Sequence, residues 1–412
     1  MTTVSERSNP WRETIGDLRG RALWVVVGCL ICQVGLGFNY VLGPLAGDII
    51  AEFGWTRATF SSARAPQLFV IATASPLIGA LVVRFGARWI LAAGTISLGI
   101  AFLLFGRMQN PWEMYGLVML LGLSVTALGD ITTGQLVAHW VVRGRGLALG
   151  IVYTGSNLGG WLLVPMAAGI ASRETWREAF SGLGIAAFAV LLPVALFVVR
   201  EPRGTKRPDA SLPAAGEPAG EQDMNLSAAL RTRSFWILAA SLSSFFFYFL
   251  GVLDCLVLFL TDVGMPRQQA AQYFGRALGL GILSKITLGL IADRIPHKTA
   301  IVLDYALLAA SSVLLLMLPD ERLIWLFVAS FGFSTAARDV VTPLIVAHCF
   351  GIRYLAQIYG ALMLVLLPGG ALGPIFAAAI HDHTQSYAGA FATYAVLNTA
   401  AAGALCFVRR ER

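Results

Sequence analysis

Charge is what this sequence lacks most. Of its 412 residues only 13% are charged, while 57% are hydrophobic. A soluble domain carries about 25% charged residues, so a water-soluble chain of this length could not cover its surface. Heptads and a Gly-X-Y period are also missing, which excludes a coiled coil and a collagen. Disordered chains are poor in apolar residues, and this one is rich in them. There is no G-x-x-x-x-G-K-[ST] loop, so ATP-driven work has no support. No metal-ligand cluster and no nucleophile constellation is visible. No metal, cofactor or catalytic residue is therefore expected, and the chain is not read as an enzyme. Cysteine is sparse, and Cys29, Cys32, Cys255, Cys349 and Cys406 all fall inside apolar runs. Cys29-x-x-Cys32 has a redox or metal spacing, but no second Cys/His pair lies nearby. Inert buried thiols are expected.

What the sequence does contain is twelve apolar runs, each close to the roughly 20 residues that span a bilayer as a helix. They lie at 23–49, 58–83, 89–106, 112–138, 147–171, 179–199, 235–260, 269–292, 299–318, 323–350, 356–380 and 388–408. The first is too long for a signal-peptide core and no A-x-A site follows it, so it reads as a retained span. The longest polar stretch, 200–234, holds Pro202, Pro208, Pro213 and Pro218 and reads as a flexible linker. Its end, 225–233, has the look of a short interfacial helix. The expected layout is a tail at 1–22, a six-helix bundle at 23–199, the linker at 200–234, a second six-helix bundle at 235–408 and a tail at 409–412.

The net charge of +7 comes from 30 basic against 23 acidic residues. A basic balance can signal nucleic acid, but here the cations sit in short gaps between apolar runs. Twenty of the 30 fall on the side that holds both termini and the linker, six in the opposite loops, and four inside spans. The positive-inside rule then predicts a multi-pass inner-membrane protein with both termini cytoplasmic. The partner expected from this pattern is the lipid bilayer, with no nucleic acid, and a monomer is expected.

The two halves repeat at a nearly constant offset. Gly79-x-x-x-Val83-Arg84-Phe85-Gly86-Ala87-Arg88 matches Gly289-x-x-x-Asp293-Arg294-Ile295-Pro296-His297-Lys298. Asp130-Ile-Thr-Thr133 matches Asp339-Val-Val-Thr342, and Gly159-Gly160 matches Gly369-Gly370. A parallel duplication of six helices places a substrate site near midplane, between the halves.

These repeated loops resemble the G-x-x-x-D-R-x-G-R-K signature of the major facilitator superfamily. The second copy keeps the glycine, the Asp-Arg pair and the final lysine, while the first has Val83 where the acid belongs. The resemblance implies an all-α polytopic membrane protein with twelve transmembrane helices in two six-helix bundles, the major facilitator fold. It also implies a conformational latch at Gly79, Arg84, Gly86, Arg88, Gly289, Asp293 and Arg294, with the N-terminal version weakened by Val83. Four further stretches are similar to the monocarboxylate-porter and oxalate/formate-antiporter branches. They are Phe53-Gly54-Trp55-Thr56-Arg57, Arg143-Gly144-Arg145-Gly146-Leu147-Ala148-Leu149-Gly150, Tyr359-Gly360, and Asp382-x-Thr384-x-Ser386-Tyr387-x-x-x-Phe391.

A charge at bilayer depth costs ~3 kcal/mol or more, so each needs a partner, a cavity or a function. Lys285 falls where the carboxylate-transporting relatives carry an anion-binding Arg, and a point charge there alters the geometry of an anion site. Arg338 is a candidate second anion contact. Its neighbour Asp339 lies about 100° round the helix and need not pair with it. Arg276 is expected either to line substrate entry or to pair with Asp254. Asp130, Asp254 and Asp339 are the candidates for proton coupling, although the repeat that links Asp130 with Asp339 suggests a structural role as readily. Arg64 reads as a side chain snorkelling to the interface, and Asp304 as half of a structural pair with a nearby loop. Asn39, Tyr40, Tyr153 and Asn157 are candidates to hydrogen-bond a carboxylate or to join helices. The reading favoured is a proton-coupled secondary transporter of a monocarboxylate-like anion, with that small organic anion and protons as its further partners. An anion exchanger, a drug or metabolite efflux transporter and a non-transporting sensor are the alternatives.

Overall fold

In the computed structural model, residues 20–141, 145–201, 224–291, 295–318, 320–351, 354–364 and 366–411 are described, and the regular elements among them are all helical. The N-terminal half holds α1 (Arg21–Phe53), α2 (Arg57–Phe85), α3 (Ala87–Phe105), α4 (Pro111–Trp140), α5 (Arg145–Arg173) and α6 (Trp176–Val198). The C-terminal half holds α7 (Arg233–Asp262), α8 (Arg267–Ile291), α9 (His297–Met317), α10 (Glu321–Phe350), α11, in two pieces, Leu355–Met363 and Leu366–Thr384, and α12 (Ala388–Leu405). The interfacial segment forms a single helical turn, Leu226–Ala229, whose start is capped by the Asn225 side chain.

Local chemistry sets where the helices begin. Thr175 and Thr232 accept bonds from the backbone N–H three residues on, at the starts of α6 and α7. Asn110 does the same for α4, with Pro111 in the first turn and the Glu113 carboxylate returning to the Gln109 N–H at 2.7 Å. These side chains satisfy amides that a helix start leaves unpaired.

Each half has its own apolar core, one built almost wholly from residues 25–199 and the other from residues 229–408. Large apolar side chains also face outward, Trp112 and Phe197 among them, as a lipid-facing surface requires. Among the described residues, ten helices are long and apolar enough to span a membrane by length and composition. The other two, α5 and α8, carry more polar residues and pack along each other between the bundles.

Among the described residues several helices are interrupted: α2 at Ala63 and α6 by π-helical turns at Ala187–Leu191 and Val194–Val198, besides α1, α4 and α11. In α1 the stretch Gly35–Tyr40 winds as a 3₁₀ helix, where α1 crosses α5. A Cβ at Gly37 would strike the Gly159 backbone, and one at Gly159 the Val34 carbonyl. Only glycine permits that approach. In α4 the helix stops at Leu128, Gly129 is extended, and a second helical piece starts at Asp130. In α11 the break falls around Leu364, four residues before Pro368, which has no N–H to offer that carbonyl.

The ends of the helices define two faces. Arg21, Trp140, Arg200, Arg233 and Leu405 belong to one, here called the terminal face. The turns between α1 and α2, α7 and α8, and α11 and α12 belong to the other, the distal face.

Candidate functional site

The bundles meet through two polar layers. The distal layer centres on Arg64 of α2 and Asp254 of α7. Their side chains are 3% and 5% exposed and form an ion pair, reinforced by Arg64 Nε donating to Asp254 Oδ2 at 3.2 Å. Arg64 Nη1 also donates to Asn39 Oδ1 at 3.0 Å and Gln67 Oε1 at 2.9 Å, and Gln67 Nε2 donates to Asn39 Oδ1 at 2.7 Å. The void beside this network is about 10 Å³, the space of one water at most. Arg64 therefore does not snorkel, and it is Arg64, not Arg276, that pairs with Asp254. Arg276 lies exposed over the rings of Tyr273 and Trp325, at 5.7 and 5.2 Å. Sequence spacing had put Arg276 at a suitable depth, but its azimuth on α8 turns it out of the seam.

Above this pair, the distal face is sewn together further. Arg57 makes two bonds to Asp262 at 2.7 and 2.8 Å and one to the Tyr387 hydroxyl at 2.7 Å. Asp382 accepts from the Arg57 and Ala58 N–H groups at the start of α2. Arg267 pairs with Asp48.

The second layer lies toward the terminal face. Lys285 of α8, 6% exposed in its side chain, forms an ion pair with Asp339 at 3.0 Å. It also donates to the Tyr153 carbonyl at 3.0 Å and to Ser156 Oγ at 3.4 Å across the bundle seam. Arg338 pairs with the same Asp339, so the two neighbours do meet. A long arginine side chain spans the 100° that separates consecutive Cβ directions. The guanidinium sits over Phe245 and Phe246 at 4.9 and 5.0 Å. Its Nε is buried without a hydrogen-bond partner among the described residues.

Asp130, the repeat partner of Asp339, has no such cations bonded to it among the described residues. It starts the second piece of α4 and accepts from Gln33 Nε2 at 3.0 Å, and the same amide donates to Thr133 Oγ1 at 2.9 Å. It is nonetheless within the electrostatic field of Lys285, Arg338 and Asp339. By helix rise, Asp130 and Asp339 lie roughly 15 Å from the terminal-face ends of α4 and α10. Asp130 is exposed and the Asp339 side chain is 35% exposed. Both carboxylates are thus accessible at that depth, unlike the Arg64–Asp254 pair. Among the described residues, the inter-bundle hydrogen bonds run from the distal face down to Lys285 and no further.

The neutral candidates divide between the layers. Asn39 belongs to the distal network, and Tyr40, half-buried, lies within the fields of both Arg338 and Arg64. The Tyr153 hydroxyl lies 3.5 Å from the Asp130 carbonyl. Asn157 donates to the Leu278 carbonyl at 2.9 Å, joining α5 to α8. Asp304 is buried, and its Oδ1 has no hydrogen-bond partner among the described residues, so the loop pairing expected for it is not seen there. Gln33, Thr133, Ser156 and Gln67 were missed by sequence reasoning. Uncharged polar residues are common in apolar helices and carry no signal alone.

In the first signature loop, Gly86 has φ +94, and the Glu201 carboxylate accepts from the Ala87 N–H at 2.7 Å, at the start of α3. Gly79 packs near Ile131, Arg84 lies over Phe85 and Arg88 over Trp89. In the second copy, Gly289 lies within α8, whereas Asp293 and Arg294 lie outside the described residues. Among the described residues no His/Cys/Asp/Glu group could hold a metal ion.

Twelve helices in two halves, with a polar seam between them, have a counterpart among known families. The model of the Major Facilitator Superfamily matches residues 23–337. The chain belongs to that superfamily. It is thus a multi-pass membrane transporter and not an enzyme. Among relatives of this superfamily member, the gallate transporter of Pseudomonas putida is 24% identical over 347 residues, 76% of each chain. Monocarboxylate transporter 13 of Bos taurus is 24% identical over 394 residues, 93% of this chain and 88% of that one. A bacterial homolog of the human lysosomal transporter Spinster, in an inward-facing and occupied conformation, shares the fold. It has a TM-score of 0.70 and 17% identity, over 98% of both chains.

Proposed function

We propose that this superfamily member moves a small monocarboxylate together with a proton, by alternating access between the two faces. The observation that carries the reading is the unequal pairing of the two repeated acids. Asp339 is held by Lys285 and Arg338, while Asp130 is held by an amide. With both acids ionised, the four groups sum to zero and offer an anion nothing. With a proton on Asp130 the sum is +1, which one carboxylate neutralises. Burying an unbalanced charge is costly, so the anion and the proton favour each other's binding. Lys285 and Arg338 are the anion contacts in this scheme, Asp130 carries the proton, and Asp339 holds the cations when the site is empty. Asp254, fully engaged by Arg64, serves the distal gate instead. The gallate and monocarboxylate names among the relatives support a carboxylate substrate.

The test is uptake of a panel of monocarboxylates into proteoliposomes. Lys285→Ala is expected to abolish uptake. Asp130→Asn is expected to abolish accumulation driven by a pH gradient while leaving exchange against internal anion. Uptake by the unaltered protein that strictly requires internal anion would reassign it as an exchanger of the oxalate/formate kind.

A further inference from the structure

We propose that a cleft on the flank of the N-terminal bundle binds the phosphate-bearing headgroup of an anionic phospholipid. The cleft has a volume of about 650 Å³ and lies at the terminal-face ends of α1, α3, α4 and α6, within the roughly 300–1,000 Å³ usual for small-molecule sites. Arg21, Arg88 and Arg200 line it together with Trp24, Trp89 and Trp140. The single carboxylate on its wall, Glu201, is already committed to the Ala87 N–H. The lining therefore carries a net +2. Arg88 Nε is buried there without a hydrogen-bond partner among the described residues.

Guanidinium groups hold phosphate oxygens through two parallel bonds, and three of them around one cleft favour an anion over a zwitterion. The rest of the wall favours a lipid over a free ion. Trp24 and Trp89 are 64% and 58% exposed, and Phe85 and Phe197 beside them 52% and 66%. Exposed indole rings at helix ends belong at the headgroup level of a bilayer, with acyl chains alongside. Basic pockets between helices at that level are suited to anionic headgroups. The cleft is separate from the transport site. Nine residues at 100° each place Trp24 and Gln33 on opposite sides of α1.

The test uses the full chain, purified and delipidated in detergent. Binding of dioleoyl-phosphatidylglycerol, dioleoyl-phosphatidylcholine and glycerol 3-phosphate is measured by native mass spectrometry. Phosphatidylglycerol is expected to bind at least about tenfold more tightly than phosphatidylcholine. A basic residue at a membrane surface contributes about fivefold. The double variant Arg21→Gln/Arg200→Gln should therefore weaken phosphatidylglycerol about 25-fold. Both side chains are exposed, so the lipid-free melting temperature should not move. Trp24→Ala, which leaves the charges in place, should weaken the lipid but not glycerol 3-phosphate. Equal binding of the two lipids, an unchanged double variant, or glycerol 3-phosphate binding as tightly as the lipid would each overturn the proposal. So would a lipid site that appears only after residues 1–19 are removed, because the tail would then be the occupant.

Discussion

Asp254→Asn should push the protein toward a state open at the distal face. Asp254 and Arg64 come from different bundles and are nearly inaccessible where they meet. The variant leaves the guanidinium in place with only the Asn39 and Gln67 oxygens and the new amide as acceptors. Removing one partner of a buried pair costs about 3–5 kcal/mol. The residual amide bonds lower that to about 2–3 kcal/mol, since hydrogen bonds to a charged group contribute about 1.5–3 each. The penalty applies only while the distal face is closed, because opening exposes Arg64 to water. It therefore shifts the equilibrium by about 30- to 150-fold. If one molecule in about a hundred is distal-open before the change, about a quarter to three-fifths become so after it. Nitroxide labels at Arg107→Cys, in the α3–α4 loop, and Arg322→Cys, in the first turn of α10, lie on opposite bundles at the distal face and report this as a growing long-distance population. The exposed Cys406 is replaced by Ser beforehand. The charge swap Arg64→Asp/Asp254→Arg should restore most of the short-distance population. A distance distribution unchanged by Asp254→Asn would refute the assignment of this pair as the gate.

Three further outcomes follow from the same geometry. Lys285→Arg should retain part of the uptake that Lys285→Ala loses, with a changed preference among carboxylates, because the fork binds two oxygens where the ammonium offers a point charge; competition assays in proteoliposomes read the order. Arg276→Ala should leave uptake kinetics within about twofold, since the side chain faces outward over Tyr273 and Trp325 and surface changes typically stay within about 0.5 kcal/mol. Gly159→Ala should lower the melting temperature in detergent, because its Cβ would meet the Val34 carbonyl and the Gly37 backbone and overpacking costs about 1–3 kcal/mol.

Much of the molecule was legible before any coordinates. Composition and run length predict twelve spans because an apolar helix has a defined length in a bilayer, and ten helices among the described residues have that length and composition. The repeat of Asp130 with Asp339 pointed to duplication, and the family match bears out the fold it implied. Depth was readable as well: at 1.5 Å per residue, Lys285, Asp130 and Asp339 could be assigned to the membrane interior. The interruption of α11 falls four residues before Pro368, whereas α6 begins at Trp176, three residues ahead of the apolar run expected at 179–199.

Partnership was not legible. Arg64 and Arg276 are each an intramembrane arginine near the distal end of a span, and from sequence Arg276 is offered to Asp254 while Arg64 is left snorkelling. What separates them is azimuth relative to helices far away in the chain, which only packing decides. The same holds for the two repeated acids. Their sequence contexts match, yet one meets Lys285 and Arg338 and the other Gln33. The cations lie in the C-terminal half alone, and α4 breaks at Gly129 where α10 continues through Arg338. Sequence by itself thus determined the solvent, the spans and the depth of each charge, since those depend on composition and on rise along one helix. Which charges neutralise one another, and which acid is left with only an amide, was decided by the tertiary structure. Those contacts join residues as much as 219 positions apart, and no local pattern encodes them.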